Sequence, residues 1–380
     1  MPEAKVRIGI NAHCLEGNRR GVGRYLTNIL REWLINPNHD EYYLYYRDKI
    51  QQDPFLHNRR VVQRVTASFL GRRPLLLWQN ASLPYRALAD KVNIFFSPAY
   101  VLPAISPFKT VVTQHDISYE LFPAHFHWGH KANVKFFSRH SARISGAILT
   151  ISEFSKKEIM RIYNVPSEKI IVTYLDCDPG IHAIRDINEI KRFKNEFNLA
   201  DQYILFVGTM FKRRNVDAVV KAFNLISARV SSISLVLIGD IPVQERDRLS
   251  KLFQASPFYD QIMHFASVTE AELRLFYNGA ALLVYPSSYE GFGLPVLEAM
   301  RCGTPVIVSK SGSLPEVAGD AGTYVDPKDP ADIAENIIRI VTNSSKRAEL
   351  SNKVLRQSNK FSWARCAEKT RETLRTVVYS

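Results

Sequence analysis

The sequence is poor in cysteine and has no long apolar run, and both absences exclude whole classes of protein. Among 380 residues there are only four cysteines, with no CxxC pair: Cys14, Cys177, Cys302 and Cys366. A disulfide framework or a zinc knuckle is therefore not expected, and a reducing cytoplasm fits best. No run approaches the roughly 18 apolar residues of a membrane span. Residues 1–10 lack the apolar core of a signal peptide, so we expect a cytoplasmic protein.

The composition excludes a disordered chain, a fibrous repeat and a coiled coil. Hydrophobic residues make up 46% of the chain and charged residues 23%, which is ordinary for globular proteins. No internal sequence repeat or low-complexity segment interrupts it. At roughly 100–200 residues per domain, this length predicts two domains with sizeable cores.

Acidic residues are too few to balance the basic ones. The formal net charge is +13; residues 1–180 hold 24 basic and 15 acidic residues, and residues 181–380 hold 26 and 22. The excess in the first half includes the clusters Arg19–Arg20–Arg24, Arg59–Arg60–Arg64 and Arg72–Arg73. Such a surface suits anionic partners, namely nucleic acid, acidic lipids or phosphorylated substrates, or is simply a solvated basic face.

Short apolar runs alternate with amphipathic stretches along most of the chain. Ten runs predict strands that are buried on both faces of parallel sheets: 6–10, 42–46, 93–96, 109–113, 146–150, 203–207, 234–238, 281–285, 305–308 and 322–325. Amphipathic stretches such as 216–228 and 330–341 predict helices between them. Strand and helix alternating twice over predicts an α/β protein with two Rossmann-like, doubly wound domains.

The domain boundary is expected where this alternation is interrupted. The stretch from Asp176 to Gly180 breaks the pattern before a helix predicted over 187–197. We predict a first domain at 1–182 and a second at 183–363. The final helix, at about 362–378, has no strand after it and could pack on either domain.

The most specific stretch runs from Tyr285 to Val308 and predicts a strand, a loop, a helix and a second strand. Pro295 suits the first helical turn, where its missing N–H costs nothing, and Gly303 suits the helix end. Gly291 and Gly293 let the backbone approach a ligand closely. The N–H groups that begin this helix predict an anion site, strengthened by the helix dipole.

Two glutamates frame this turn, eight residues apart. Glu290 lies on the loop and Glu298 one turn into the helix. Carboxylates accept hydrogen bonds from vicinal hydroxyls, as acidic residues do with ribose in nucleotide sites. The spacing therefore predicts a site in which Glu290 lies near the group that a bound phosphate carries, and Glu298 contacts a polyol such as ribose.

At this point the chain resembles the family 4 glycosyltransferases, which carry a glutamate–seven–glutamate signature and the GT-B fold, two Rossmann-like domains facing across a cleft. The resemblance covers nearly the whole chain. Besides the two glutamates, it rests on the segments 11–30, 112–116, 206–215, 313–316 and 361–363. It implies a retaining hexosyltransferase that uses a nucleotide-diphosphate sugar. It also implies that the first domain binds the acceptor, that the second binds the donor, and that a last helix, at 364–380, returns to the first domain.

The resemblance also implies roles for residues of the second domain. Glu290 would contact hydroxyls of the donor sugar, and Glu298 the ribose. The backbone from Phe292 through Gly293 to Leu294 would meet sugar and phosphate. Arg213 and Arg214 would neutralise the diphosphate, which accumulates charge as it departs and is stabilised by fixed cations. The family usually has lysine where Arg214 stands, so this contact would be a bidentate fork.

In the first domain the resemblance points to two glycines and a histidine. Gly21 and Gly23 would let the backbone approach the diphosphate; as a dinucleotide fingerprint they are weak, because Leu26 replaces the third glycine. His115 follows an apolar run and would sit at a strand's carboxyl end, where open α/β sheets bind ligands. We expect it to position the sugar or acceptor, oriented by Asp116.

Two other patterns are weaker candidates for metal sites. Asp176-Cys177-Asp178 is a D-x-D sequence, but it lies far along the chain from the two glutamates, and the family implied needs no metal. The histidines at 125, 127, 130 and 140 have no nearby cysteine or acidic partners to complete a ligand set. We therefore expect neither a metal nor a cofactor.

The substrates are less specified than the reaction. UDP-glucose is the first expectation for the donor and GDP-mannose the second, with a glycan or lipid-linked acceptor in polysaccharide or glycolipid assembly. The segment 72–78 joins basic and large apolar residues, and is either a patch for the acceptor or an anionic membrane, or part of the core. Alternatives are a nucleotide-sugar epimerase on the same fold and a non-catalytic sugar-nucleotide-binding protein. No nucleic-acid-binding fingerprint is present.

Overall fold

The chain folds into two units. The computed structural model describes residues 4–17, 21–66, 75–122, 128–230 and 232–380. One unit comprises Met1–Leu175 with Ser362–Ser380, and the other comprises Asp176–Phe361. The sequence placed these limits at 182/183 and 363/364.

The first unit is built on a parallel sheet. Its seven described strands have the order β3-β2-β1-β4-β5-β6-β7. They are β1 (Arg7–Asn11), β2 (Glu41–Tyr46), β3 (Val61–Val65), β4 (Ile94–Ser97), β5 (Lys109–Thr113), β6 (Ala147–Thr150) and β7 (Ile170–Val172). The central strands are almost fully buried, because helices cover both faces of such a sheet.

The helices of the first unit come from both ends of the chain. They are α1 (Val22–Ile35), α2 (Leu75–Leu77), α3 (Leu83–Ala89), α4 (Ser118–Leu121), α5 (Trp128–Ile144), α6 (Glu153–Tyr163) and the last helix, α15 (Trp363–Tyr379). A π-helical turn, Trp78–Ser82, joins α2 to α3.

The last helix packs on α1. The Trp33 indole Nε1 donates to the Ala367 carbonyl at 2.7 Å. Asp40, which is fully buried before β2, pairs with Arg371 and Arg375, with each N···O distance 2.7 Å. Charge pairing and a buried aromatic contact thus fix the chain's end to the first unit.

The second unit is also built on a parallel sheet. Its six described strands have the order β10-β9-β8-β11-β12-β13. They are β8 (Gln202–Val207), β9 (Ile233–Ile238), β10 (Ile262–Phe265), β11 (Leu282–Tyr285), β12 (Val306–Ser309) and β13 (Thr323–Val325). The helices are α7 (Ile187–Glu196), α8 (Val216–Ser227), α9 (Arg246–Gln254), α10 (Glu270–Gly279), α11 (Leu294–Arg301), α12 (Leu314–Ala318), α13 (Pro330–Val341) and α14 (Ser344–Ser358).

Three strands were not predicted from the sequence, and all three are sheet edges. β3, β7 and β10 each pair on one side only. In β3 and β10 the residues are mostly partly exposed and Arg64 and His264 interrupt the apolar run. β7 is an apolar but very short strand of three residues, Ile170–Val172. Among the described residues, no helix has both the length and the apolar character to cross a membrane.

Candidate active site

The centre of the candidate site is the carboxylate of Glu290, on the loop between β11 and α11. A single oxygen, Oε1, accepts three hydrogen bonds: from Arg214 Nε at 2.8 Å, from the Tyr285 hydroxyl at 2.9 Å and from Ser287 Oγ at 3.0 Å. Within the described residues, Oε2 has no such partner. The protein therefore orients one oxygen and leaves the other for a ligand.

The charge of Glu290 is maintained by Arg214. Glu290 is only 8% exposed, and burial by itself would raise the pKa of its carboxyl. The positive charge of Arg214 and its hydrogen bond outweigh burial, and the net effect lowers the pKa of Glu290. The same pairing raises the pKa of Arg214 although burial opposes it. Glu290 is therefore an ionised hydrogen-bond acceptor at neutral pH and not a proton donor.

Two glycines make room for this pair. Gly208 follows β8 with φ +133°, and a Cβ atom built there would lie 2.4 Å from Arg214 Nη1. Gly312 has φ +63°, and its Cβ atom would lie 2.7 Å from the Glu290 carbonyl oxygen. Ser313 then donates to that carbonyl from its backbone N–H at 3.2 Å and from Oγ at 3.0 Å. Sequence reasoning gave neither glycine a role, although Gly208 lies in the segment 206–215 and directly follows β8; Gly312 lies three residues after β12.

The start of α11 supplies fewer backbone donors than the sequence predicts. Gly293 is the N-cap residue with φ +98°, and Pro295 has no N–H. The N–H groups of Val296 and Leu297 already donate to the Gly293 carbonyl, at 3.0 and 3.3 Å. In the described part of the chain, the N–H of Leu294 has no partner. An anion at this helix start would meet that donor and the helix dipole.

Glu298 is buried one turn into α11. Its Oε2 accepts a hydrogen bond from the Tyr277 hydroxyl at 2.8 Å. Both side chains are buried, and burial together with the Glu298 charge raises the pKa of Tyr277 well above its ordinary value. The prediction that Glu298 is an acidic site residue is consistent with this placement, since a fixed carboxylate can receive hydroxyl donors; its contact with ribose stays a prediction.

Arg213 and Arg214 lie in the loop between β8 and α8, here called the basic loop, and have different surroundings. Besides Glu290, Arg214 contacts the Thr209 carbonyl through Nη1 at 2.9 Å. Its contact with a diphosphate stays a prediction. Arg213 lies over the Phe211 ring, 4.7 Å from its centroid. Its carbonyl accepts from the Ser288 N–H at 2.7 Å, which joins the basic loop to the glutamate loop. Phe292 is buried and meets Phe361 edge-on at 5.7 Å.

The remaining predicted residues lie in the first unit. Gly21 is the N-cap of α1 with φ +56°, and Gly23 is buried in its first turn. His115 is buried, and its Nε2 donates to the Pro98 carbonyl at 2.8 Å. Burial lowers the pKa of His115, more than its hydrogen bond to Pro98 and the charge of Asp116 raise it, so the imidazole is neutral at pH 7. The ring also meets Tyr25 edge-on at 4.8 Å.

One prediction about this histidine needs correction. Asp116 does not provide the contact that orients the His115 ring; Pro98 does, through its carbonyl. The Asp116 carboxylate instead accepts from the Ser118 N–H at 3.0 Å and begins α4. The strand end directs these neighbouring side chains to different partners.

The weaker metal candidates are engaged elsewhere or undescribed. Both oxygens of Asp176 accept from Arg301 Nη2 at 3.0 Å, and Asp178 accepts from the Gly180 N–H at 2.9 Å. His125 and His127 lie outside the described residues, as do Arg19, Arg20, Arg72 and Arg73. Over the described ranges, no group of three or more His, Cys, Asp or Glu residues is arranged to hold a metal.

Comparison with known proteins assigns both parts of the chain. The family model described as Glycosyltransferase Family 4 matches residues 19–175, and that described as Glycosyl transferases group 1 matches residues 187–357. O-antigen chain mannosyltransferase B of Escherichia coli is 33% identical over 92% of this chain and 94% of its own. Serotype-specific mannosyltransferase WbdA of Escherichia coli is 29% identical over 69% of this chain, which spans about a third (32%) of that longer protein.

Solved structures agree on the fold. Anabaena HepE, crystallised in complex with UDP and glucose, has a TM-score of 0.74 and 18% identity over 98% of this chain and 100% of its own. The predicted fold class is thus confirmed. The chain belongs to glycosyltransferase family 4, has the GT-B fold, and is a hexosyltransferase.

Proposed function

We propose that this enzyme transfers mannose from a nucleotide-diphosphate donor to a hydroxyl of a glycan acceptor in O-antigen or related polysaccharide assembly. The observation that carries the proposal is the Glu290 carboxylate, held through Oε1 alone by Arg214, Tyr285 and Ser287. The ionised Glu290 carboxylate can therefore accept a hydrogen bond from a sugar hydroxyl through Oε2. The mannosyltransferases among the relatives favour mannose, so GDP-mannose precedes UDP-glucose, the reverse of the order expected from the sequence.

The proposed reaction retains the configuration of the anomeric carbon. The acceptor hydroxyl attacks the anomeric carbon on the face from which the diphosphate departs, and the departing phosphate takes the hydroxyl proton. Arg214, Arg213 and the start of α11 stabilise the charge that develops on the diphosphate. Glu290 orients the sugar. The buried, neutral His115 positions the sugar or the acceptor and does not act as the general base.

Two further expectations belong to this proposal. The enzyme needs no divalent metal, so a chelator is expected to leave the transfer rate unchanged.

The acceptor is lipid-linked and the enzyme binds it at an anionic membrane. The basic excess of the first half and the exposed Tyr85 and Leu88 on α3 support this. Flotation with anionic and with neutral vesicles tests this. The wild type should float with the anionic vesicles, and the Tyr85→Ser/Leu88→Ser variant should not.

A donor panel tests the proposed activity. GDP-mannose is expected to raise the melting temperature more than UDP-glucose, because a ligand selective for the folded state stabilises it. With acceptor present, the product should carry an α-linked mannose. Conversion of the donor to an epimer without acceptor would instead identify an epimerase, and nucleotide-sugar binding with no turnover on any glycan acceptor would identify a binding protein.

The site residues have matched tests. Glu290→Gln and Arg214→Lys should each lower turnover, whereas Lys212→Ala, an exposed neighbour in the same loop, should not. Wild-type rates in both site variants would contradict the assignment of Glu290 and Arg214.

A further inference from the structure

A pocket with a mainly apolar lining lies at the carboxyl edge of the first unit's sheet, beside the Pro98 carbonyl that holds His115. Its volume is about 220 Å³. Asn11 ends β1 at its rim, and Pro98 to Val101 follow β4 on the other side. The rest of the lining comes from the 3₁₀ turn after β1, the π-helical turn and α5: His13, Cys14, Leu75, Trp78, Gln79 and Val134.

His13 enters this pocket in a fixed orientation. Its Nδ1 donates to Glu16 Oε2 at 2.7 Å. The other oxygen of Glu16 accepts from the N–H groups of Asp48 and Lys49 at 2.7 and 2.8 Å. Burial opposes the charge of Glu16, but these hydrogen bonds and His13 lower the pKa of its carboxyl. Glu16 is therefore an anion that fixes the orientation of the His13 ring through Nδ1, and Nε2 has no hydrogen-bond partner among the described residues.

The lining combines aromatic surface with a few polar groups. Trp78 and Gln79 stand on a π-helical turn, a deformation frequent at functional sites. Trp78 lies 5.7 Å from the His13 ring, centroid to centroid. Asn11, Gln79 and His13 supply amide and imidazole groups, and Tyr100 a second aromatic ring. A pyranose ring has the matching chemistry, with C–H faces for aromatic surface and hydroxyls for amide and imidazole.

The volume limits what can enter. Pockets for drug-sized ligands measure about 300–1,000 Å³, so this one accommodates a single ring and not a chain of sugars. His115 is not among the lining residues but contacts two of them. Its Nε2 donates to the Pro98 carbonyl, and its ring centroid lies 5.8 Å from that of Tyr100. It supports the pocket's shape, whereas His13 faces the space within.

We infer that this pocket binds one hexopyranose ring of the acceptor glycan, and that His13, oriented by Glu16, accepts a hydrogen bond from a ring hydroxyl through Nε2. The inference rests on the proposed glycosyl transfer and names the acceptor subsite. His13 is assigned as a residue that positions the acceptor.

A thiol in the lining makes occupancy measurable. Cys14 is partly exposed, while Cys177, Cys302 and Cys366 are buried. Burial also raises the pKa of Cys302 to about 12 and that of Cys177 further, which makes both poor nucleophiles. Iodoacetamide should therefore label Cys14 first, as located by peptide mass spectrometry, and Cys14→Ser should abolish that signal.

The probe is methyl α-D-mannopyranoside, with glycerol at equal concentration as the control. At a mannoside concentration about tenfold above a Kd on the order of 1 mM, it should slow Cys14 alkylation by about tenfold. The protection should be lost in His13→Ala with folding intact by circular dichroism. Equal labelling rates with mannoside and with glycerol would overturn the inference.

Kinetics provide the second readout. His13→Ala should raise the acceptor KM by about 10- to 100-fold, as loss of a hydrogen bond in a desolvated site does, with an unchanged Kd for GDP by calorimetry. His13→Gln, whose amide can replace the Nε2 acceptor, should recover part of the loss. An unchanged acceptor KM in His13→Ala overturns the subsite. Failure of the wild type to transfer mannose, with Cys14 still protected, instead overturns the proposed reaction and leaves the sugar site standing.

Discussion

Arg214 and Glu290 form an ion pair within the second unit in which Arg214 Nε lies 2.8 Å from Glu290 Oε1. Both side chains are nearly inaccessible, at 13% and 10% exposure. Burial of the two charges is costly, and the pairing with Tyr285 and Ser287 offsets that cost. The pair therefore stabilises the loop between β11 and α11 and fixes the electrostatics of the site at the same time.

Removal of Arg214 alone should destabilise the fold. Arg214→Ala leaves a buried carboxylate without its cation, which costs about 3–5 kcal/mol in the free energy of unfolding. The double variant Arg214→Met/Glu290→Leu should be more stable than Arg214→Ala, because no charge is stranded. Urea unfolding at pH 7 measures both, with Lys212→Ala as the control.

The same pair predicts opposite responses to acid. In the wild type the pKa of Glu290 lies below its ordinary value of 4.5, so its contribution to stability is complete above that pH and is lost as the pH falls through the folded-state pKa. In Arg214→Ala, burial raises the pKa, and protonation relieves the stranded charge. The deficit of the variant should therefore shrink from pH 7 to pH 5; a constant deficit would refute the pairing.

Gly208 should tolerate no side chain. Gly208→Ala brings a Cβ atom against Arg214 Nη1 and adds strain at φ +133°, so we expect a lower melting temperature and at least tenfold weaker turnover, equivalent to about 1.4 kcal/mol. Gly17→Ala is the matched control, since Gly17 has φ +83° but open space around its Cβ position. Equal effects of the two substitutions would show that backbone strain alone is responsible.

The buried hydroxyl of Tyr277 should matter for nucleotide binding. Glu298→Gln is expected to raise the Kd for GDP by about 10- to 100-fold, the value of a hydrogen bond to a charged group. Tyr277→Phe removes only the group that orients Glu298, so its effect should be smaller and in the same direction. Isothermal calorimetry measures both, and a wild-type Kd in Glu298→Gln would remove the ribose assignment.

The attachment of the last helix should depend on Asp40. Asp40→Asn leaves Arg371 and Arg375 without their buried counter-charge, and we expect a loss of about 3–5 kcal/mol from the first unit. Hydrogen exchange should accelerate in α15 and β2 and stay unchanged in β8 to β12. Glu372→Gln, an exposed position on the same helix, serves as the control.

The sequence predicted the buried strands well, because a parallel sheet covered on both faces leaves continuous apolar runs such as 203–207 and 281–285. It did not predict the edge strands β3 and β10, where Arg64 or His264 interrupts a partly exposed run, or β7, which is only three residues long. The pattern reports long buried runs and therefore fails at strands that are half-buried or very short.

The sequence predicted the two acidic residues of the site, but it did not predict the residues that position them. Glu290 and Glu298 stand in a local motif whose spacing can be read directly. Tyr285 contacts the Glu290 carboxylate, Gly208 makes room for Arg214, and Gly312 makes room for the Glu290 backbone. They follow or end three different strands, β11, β8 and β12, which neighbour one another only in the folded sheet. His13 and Glu16 lie three residues apart and pair in the structure, but neither was predicted as a site residue from the sequence.

The order in which the two units can mature on the ribosome follows from the placement of α15. The second unit is one uninterrupted stretch, Asp176–Phe361, and all of its described strands are synthesised before α15. The first unit begins earlier but lacks α15 until residues 363–379 have been added, so Asp40 and the face of α1 stay uncovered until then. A stop before α15 would therefore damage the unit that was begun first.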